Sequence, residues 1–398
     1  MESLEVVQSR VRAAIPSPRP ATVPVQDALG LVLAVDVIAG EAVPPFANTA
    51  MDGYAVRAAD TVGAPVRLHV VGDLPAGHAP TVPVGPGEAI RIMTGAPIPV
   101  GADAIVMVER TARDGDDGVT IDVAATVGDH VRPPGGDVEV GDEVFQPGAV
   151  LSPAHLGVLS SLGYTEVSVY PRVRVGVIST GDELREGPGP LAPGQIRDSN
   201  RPMLLALVTE AGADTIDLGI GRDDEAAVTE MFHAAAASCD VLITSGGVSV
   251  GDYDVVKAVL DQIGGLEWWQ VAIKPAKPFA FGRIDGTPIF GLPGNPVSSH
   301  VSFELFARPA LRQMMGHSDP DRPVVIAQAA AAMPRRADGR IHFDRVRVHY
   351  EGDHYVAVRS GAQASNALAA MASANGLAVI PDGPGPNPGD QVQVILLT

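Results

Sequence analysis

The chain has 398 residues, 46% of them hydrophobic, with 28 basic against 47 acidic side chains for a formal net charge of −19. That length exceeds what one core usually organises, so two to four domains are expected. The acidic balance argues against a nucleic-acid binder and against attachment to anionic membranes, and no apolar run reaches transmembrane length. Its 44 glycines and 35 prolines follow no period, which predicts tight turns and short strands rather than long helices. The one cysteine, Cys239, allows no intramolecular disulfide and reads as a small buried hydrophobe at a helix end. The N-terminus lacks the basic start and apolar block of a secretory signal, so a cytoplasmic protein is expected.

Leu4, Val7, Val11 and Ala14 lie at helical spacing and predict an amphipathic opening helix, closed by Pro16, Pro18, Pro20 and Pro24. Residues 1–45, together with 140–170, are expected to form an elongated, split N-terminal domain. Its second piece holds a helix starting at Pro153 with Ser152 as N-cap. Inserted between the two pieces, 46–139 reads as β-rich. Short strands at 66–71, 89–93 and 104–109 are separated by the turn clusters GDLPAG, VGPGE and RDGDDG, the spacing of a small barrel or sandwich.

From residue 171 the pattern changes. Strands at 173–179, 215–220, 241–244 and 288–292 alternate with helices at 202–210, 224–237, 255–263 and 296–315, with a β excursion over 268–281. That alternation predicts a doubly wound, mostly parallel sheet over 171–316. Residues 321–398 read as short strands with one Ala-rich helix, a small C-terminal β domain. The fold class is therefore multidomain α/β.

Three strand-to-helix turns of the sheet region carry the candidate chemistry. The first, STGDEL at 179–184, sets Thr180, Gly181 and Glu183 beyond a strand's carboxyl end, where open sheets bind ligands. A turn with helix-capping acids explains the same residues equally well. The second, SGGVSVGDYD at 245–254, is richer. Ser245, Gly246, Gly247, Ser249 and Gly251 expose backbone and hydroxyl donors, and Asp252 and Asp254 suit Mg²⁺, which takes a few carboxylates plus ligand oxygens and water. A plain turn does not need so many special residues, so function is favoured here. The third, GLPGNP at 291–296, contributes Pro293, Gly294, Asn295 and Pro296. Asn295 is a good N-cap and Pro296 suits a first helical turn, whose N–H groups face the same sheet edge.

An anionic ligand would be repelled by the bulk charge, so local cations, backbone N–H groups or a metal must attract it. The segment IKPAKP at 273–278 brackets Lys274 and Lys277 with prolines, a stiff loop suited to phosphate or another oxyanion. In the β-rich segment, NTAMDGYAV puts Asp52 in a turn and MTGAPIP does the same for Thr94; each alone is common structural punctuation. The ten histidines are scattered, with no HExxH and no Cys/His cluster, and there is no GxGxxG after a strand, P-loop or GxSxG elbow. Zinc enzymes, nicotinamide oxidoreductases, P-loop NTPases and serine hydrolases all lose weight.

Taken in order, NTAMDGYAV, MTGAPIPVGADAIVMVE, STGDEL, SGGVSVGDYD, IKPAKPFAFG and GLPGNPVS closely resemble the MoeA family of molybdopterin molybdenumtransferases, to which the gephyrin E domain belongs. The resemblance implies a MogA-like sheet domain within a four-part chain. It implies a Mg²⁺-dependent reaction in which adenylylated molybdopterin binds, molybdate enters at the dithiolene sulfurs and AMP is released. A homodimer is implied, with an active site where one subunit's sheet domain meets the other's β-rich domain. By motif, Asp52, Thr94, Glu183, Asp254, Lys274 and Lys277 take catalytic roles. The acids Glu183, Asp223, Asp224, Asp252 and Asp254 are metal candidates. Thr180, Gly181, the glycine-loop residues, the LPGNP turn, Arg345 and Ser365 are ligand-binding candidates. The molybdopterin adenylyltransferase is a candidate partner; neither nucleic acid nor membrane is expected. Two other readings stand beside this one. An adenylyltransferase shares the sheet domain and Gly-Gly loop but lacks the β-rich domain, and a gephyrin-like scaffold would need no catalysis.

Overall fold

The structure, a computed structural model, describes residues 1–221, 224–246, 255–263 and 265–397, the first three of 255–263 as backbone only. Two compact units emerge: Met1–Ala21, Gly30–Val32 and Val169–Thr398 make one, and Thr22–Leu29 with Leu33–Ser168 the other.

In the first unit, α1 (Leu4–Ala14) is capped by Ser3, whose hydroxyl accepts the Val6 N–H, and it buries Leu4, Val7 and Val11 as their spacing predicts. The sheet follows as β1 (Arg174–Thr180), α2 (Asn200–Glu210), β2 (Asp214–Gly221), α3 (Glu225–Ser238), β3 (Val241–Ser245), α4 (Val255–Ile263), β4 (Glu267–Gln270), β5 (Pro278–Ile284), β6 (Thr287–Leu292) and α5 (Pro296–Ser302). In space the strands run β2-β1-β3-β6-β5-β4. The first four are parallel, and β5 and β4 extend the sheet antiparallel.

Both faces are covered, so β1 and β3 are apolar runs rather than alternating ones. Val175, Val177, Val241 and Ile243 pack with Leu4, Val7, Leu204, Val301 and Phe306 on one side. Ile178 and Leu242 pack with Phe232, Val228 and Leu260 on the other. The doubly wound expectation is borne out. Cys239 is the C-cap of α3 and 5% exposed, and burial pushes its thiol pKa up.

The helix expected over 296–315 is continuous but not uniform. After α5 comes one π-helical stretch, Phe303–Ala307, before α6 (Arg308–Met314). Buried Glu304 lies in that stretch and accepts two bonds from Arg322 at 2.9 and 3.0 Å. The β excursion also divides. β4 and β5 stay in the sheet, with Trp269 stacked on Phe279, whereas the short strand Ile273–Lys274 pairs with β8 (Ile341–Glu351) of the C-terminal region.

There β7 (Val324–Ala329), β8, β9 (His354–Arg359), β10 (Gly376–Ile380) and β11 (Gln391–Leu396) close a barrel in the order β8-β9-β7-β11-β10, with β10 returning to β8. Closure is possible because β8 is long: 342–346 pair with β10 and 346–351 with β9.

The second unit holds one six-stranded mixed sheet in the order Ala104–Met107, Gly53–Val56, Glu88–Ile92, Val66–Leu74, Gly118–Ile121, Thr111–Asp114. Apolar clusters cover both faces, Tyr54, Leu68 and Val119 on one and Ala55, Ile92 and Ile105 on the other. The barrel or sandwich expected here is thus a single sheet, whose edge strands do not pair with each other among the described residues. Pro153–Ser161 is a helix capped by Ser152, as expected. Among the described residues, no helix is long and apolar enough to cross a membrane.

Candidate functional site

The sheet order makes β1, β3 and β6 direct neighbours, in a register that pairs Ser179 with Ser245 and Ser245 with Leu292. Their carboxyl ends, Thr180, Ser245 and Leu292, therefore come level, and the three candidate turns begin side by side. Gly246 has φ +98°, and its N–H donates to the Leu292 carbonyl at 3.1 Å. A Cβ on Gly246 would lie 2.9 Å from the Thr180 carbonyl oxygen, and one on Gly294 would lie 3.8 Å from the Gly246 Cα. Gly181, at φ +141°, brings its backbone so close to Glu183 that a Cβ would sit 2.4 Å from a carboxylate oxygen. At Gly246 the close backbone contact and the positive φ together call for glycine.

Asn200, the first residue of α2, bridges them: its Nδ2 donates to Ser245 Oγ at 2.7 Å and to the Gly294 carbonyl at 2.8 Å. No motif in the sequence marks this residue. Its only signal was a polar DSN triplet that reads as helix capping.

Behind Thr180, the Ser179 hydroxyl donates to Asp198 at 3.1 Å, and Asp198 accepts from Arg201 Nε at 3.2 Å. Arg201 is buried and also binds Asp217 and Glu186. Burial opposes ionisation of Asp217, but the Gly219 N–H and Arg201 outweigh it and hold the carboxyl below its usual range.

Two of the candidate metal ligands are described. Glu183 is exposed just past β1, and Asp224 caps α3 just past β2, with Oδ1 accepting the Ala227 N–H at 3.0 Å. Thr180 pairs with Gly221 at the ends of those neighbouring strands. Each carboxylate offers the hard oxygen ligands that Mg²⁺ prefers. Asp223, Gly247, Ser249, Gly251, Asp252 and Asp254 lie outside the described residues. Among the described residues, no three His, Cys, Asp or Glu side chains converge as a metal-holding group.

Pro293 is buried at the end of β6, and Gly294 and Asn295 are exposed. Asn295 occupies the N-cap of α5 and Pro296 its first turn, but the Asn295 side chain makes no capping bond. The Val297 N–H is satisfied instead by the carbonyl of Ser365 at 3.1 Å. Ser365 thus meets the LPGNP turn through its main chain. Its loop is held by Arg345, which is 1% exposed and donates through Nη2 to the carbonyls of Ala362 and Ala364 at 3.0 and 3.1 Å.

Arg345 also lines a cavity of about 440 Å³ with Lys274, Arg335, Arg336, His342 and Arg359, against Asp338 and Asp344. This basic hollow lies in an acidic chain, and the buried Arg345 Nε has no partner among the described residues. Lys274 and Lys277 are both exposed, and neither forms an ion pair among the described residues. Burial lowers the pKa of His342, with Arg335 and Lys274 adding to the effect against Asp338. The Arg340 bond, helped by His342, holds Asp338 far below the ordinary carboxylate range despite burial.

Asp52 and Thr94 belong to the second unit and meet there. Thr94 donates its backbone N–H and its hydroxyl to one Asp52 oxygen, each at 2.7 Å. These two bonds lower the Asp52 pKa. Gly53 is required beside them, because a Cβ would fall 2.0 Å from the Val106 carbonyl oxygen.

The MoeA N-terminal region (domain I and II) matches residues 2–163, the probable molybdopterin binding domain matches 176–313, and the MoeA C-terminal region (domain IV) matches 327–397. Molybdopterin molybdenumtransferase 2 of Mycobacterium tuberculosis is 46% identical over 394 residues, covering 96% of each chain. The molybdopterin molybdenumtransferase of Haemophilus influenzae is 38% identical, covering 94% of this chain and 93% of its own. A crystal structure of the molybdopterin biosynthesis MoeA protein from Pyrococcus horikoshii has a TM-score of 0.79 at 30% identity, covering 100% of both chains. With the strand-tip turns in register and these matches spanning nearly all of it, the chain belongs to the MoeA family.

Proposed function

We propose that this protein is a molybdopterin molybdenumtransferase of molybdenum cofactor biosynthesis, which takes adenylylated molybdopterin and molybdate and releases AMP. The observation that carries the reading is that the ends of β1, β3 and β6 come level, with Gly181, Gly246 and Gly294 at their tips, joined through Ser365 and Arg345 to a cavity rich in cations. Both substrates are anionic, and the chain as a whole is acidic, so binding must be local.

In this reading the hydroxyls of Thr180 and Ser245 and the turns at Gly181, Gly246 and 293–296 hold the phosphates. Gly247, Ser249 and Gly251, outside the described residues, are assigned to the same phosphate site from their motif alone. Lys274, Lys277 and Arg345 offset the charge of the oxyanion. Glu183 and Asp224, with Asp223, Asp252 and Asp254, would hold Mg²⁺, which when bound supplies positive charge to phosphate oxygens. Asp52, kept ionised by Thr94, is available to orient a donor group of the substrate or to accept a proton from it.

We assign the protein further to the cytoplasm, as a homodimer of four-part chains divided at 1–45 with 140–170, 46–139, 171–316 and 321–398. Its supplier would be a molybdopterin adenylyltransferase. The near full-length likeness to molybdenumtransferases speaks against the chain being that adenylyltransferase itself or a scaffold without catalysis.

The test is an incubation of the protein with adenylylated molybdopterin and Mg²⁺, followed by molybdate. AMP should appear only when molybdate is added, and chelation of Mg²⁺ should stop it. AMP release indifferent to molybdate, or ATP-dependent adenylyl transfer to molybdopterin, would refute the assignment.

A further inference from the structure

We infer that Asn200 is a positioning residue for phosphate recognition: its amide fixes Ser245 as a hydrogen-bond donor and clamps the LPGN turn against that serine. This rests on the reading of the strand tips as the phosphate site.

The amide's orientation is determined by its partners. The Gly294 oxygen is a carbonyl and can only accept, so the atom 2.8 Å away must be the amide nitrogen. The second hydrogen of that nitrogen goes to Ser245 Oγ at 2.7 Å. A hydroxyl has one proton to give. With its oxygen already accepting from Asn200, the Ser245 proton remains for another acceptor. Ser245 is 2% exposed, and no other hydrogen bond of its hydroxyl occurs among the described residues. Gly246 follows it at φ +98°, without a side chain to cover the tip. A phosphate oxygen seated there would accept this proton.

Two further observations separate this from ordinary packing. The Asn200 Oδ1 is buried with no hydrogen-bond partner among the described residues, while both donor bonds of the amide are made. Asn200 is also held in place from both sides in sequence. Asp198 accepts from the Ser179 hydroxyl at the end of β1, and the Arg201 side chain is buried in its carboxylate cluster. The segment 198–201 thus reaches the tip of β1 through Asp198 and the tips of β3 and β6 through Asn200.

The experiment is a double-mutant cycle in AMP affinity by calorimetry, with Asn200→Asp and Ser245→Ala, each checked by thermal unfolding. Ser245→Ala should weaken AMP binding roughly 10-fold, the loss of one hydrogen bond to a charged group. Asn200→Asp keeps the shape but presents a carboxylate that takes the Ser245 proton for itself, so it should weaken binding by about as much. The double variant should then bind no worse than Asn200→Asp alone. Independent, multiplying losses, or an Asn200→Asp variant with native affinity, would overturn the role of Asn200. Absence of AMP binding by the unsubstituted protein would overturn the phosphate-site reading and this inference with it. If Asn200→Asp does not fold, Asn200→Ala enters the same cycle, and losses that simply multiply decide against the inference there too.

Discussion

Gly246 and Thr180 touch across the tips of neighbouring strands: a Cβ on the glycine would lie 2.9 Å from the threonine's carbonyl oxygen and 3.0 Å from its hydroxyl oxygen. The closer of the two contacts is with backbone, so turning the threonine side chain cannot relieve it. Gly246→Ala would add that clash to a φ of +98°, which costs an L-residue on the order of 1–3 kcal/mol. The expected outcome is a lower urea midpoint together with at least a tenfold loss of AMP affinity. An alanine variant with native stability and affinity would show that the turns are not closely packed.

The Asp52 carboxyl is held below its ordinary pKa by the Thr94 backbone bond first and the Thr94 hydroxyl second. Thr94→Val removes only the second, so the Asp52 pKa should rise part of the way back, as read by carboxyl-carbon NMR. The sign for stability follows by linkage. A carboxyl whose folded pKa is depressed stabilises the fold above its unfolded pKa and loses that contribution as pH falls through the folded value. The valine variant should therefore lose less stability on acidification than the parent.

His317 behaves oppositely in charge but also weakens the fold in acid. Burial, then Arg312 and Arg308, push its pKa down from 6.5 to about 4. Its Nδ1 lies 3.2 Å from Arg312 Nη2 and accepts while neutral. Between those two pH values the unfolded chain binds the proton and the folded chain does not, so stability rises with pH across the window. His317→Gln should flatten the slope of the denaturation midpoint between pH 4 and 6.5. An unchanged slope would mean the histidine is solvated.

Arg345 satisfies two carbonyls of the loop that carries Ser365. Lysine keeps a charge but not the planar fork, and it places a more strongly hydrated ammonium in a site that is 1% exposed. Arg345→Lys should reduce unfolding free energy by ~1–3 kcal/mol at unchanged denaturant slope. It should also loosen α5, because the Ser365 carbonyl caps Val297. Hydrogen exchange at Val297 reports this directly, and native protection there would break the proposed link.

Much of the sheet was readable from local pattern. The spacing of Leu4, Val7 and Val11 encodes α1, and the alternation of apolar runs with helical segments encodes the parallel sheet, because both depend on neighbours within a few residues. The π-helical stretch was not readable, since Glu304 is drawn inward by Arg322, eighteen positions further on. Nor was the departure of Ile273–Lys274 from the sheet, which depends on pairing with β8. Asn200 belongs to none of the motifs, and its two partners lie 45 and 94 positions away.

By itself, the sequence determined that three strand ends would be bare backbone, that two lysines would sit on a proline-stiffened loop, and that the chain would be acidic around them. Those are properties of residue type and short spacing. Only the tertiary structure decided that the three ends are level neighbours, that Ser365 acts through its carbonyl, and that Asn200 joins two of the turns. Each of these depends on the order and register of strands distant in sequence, and that order is set by which long-range pairings bury the most apolar surface while leaving no strand unpaired.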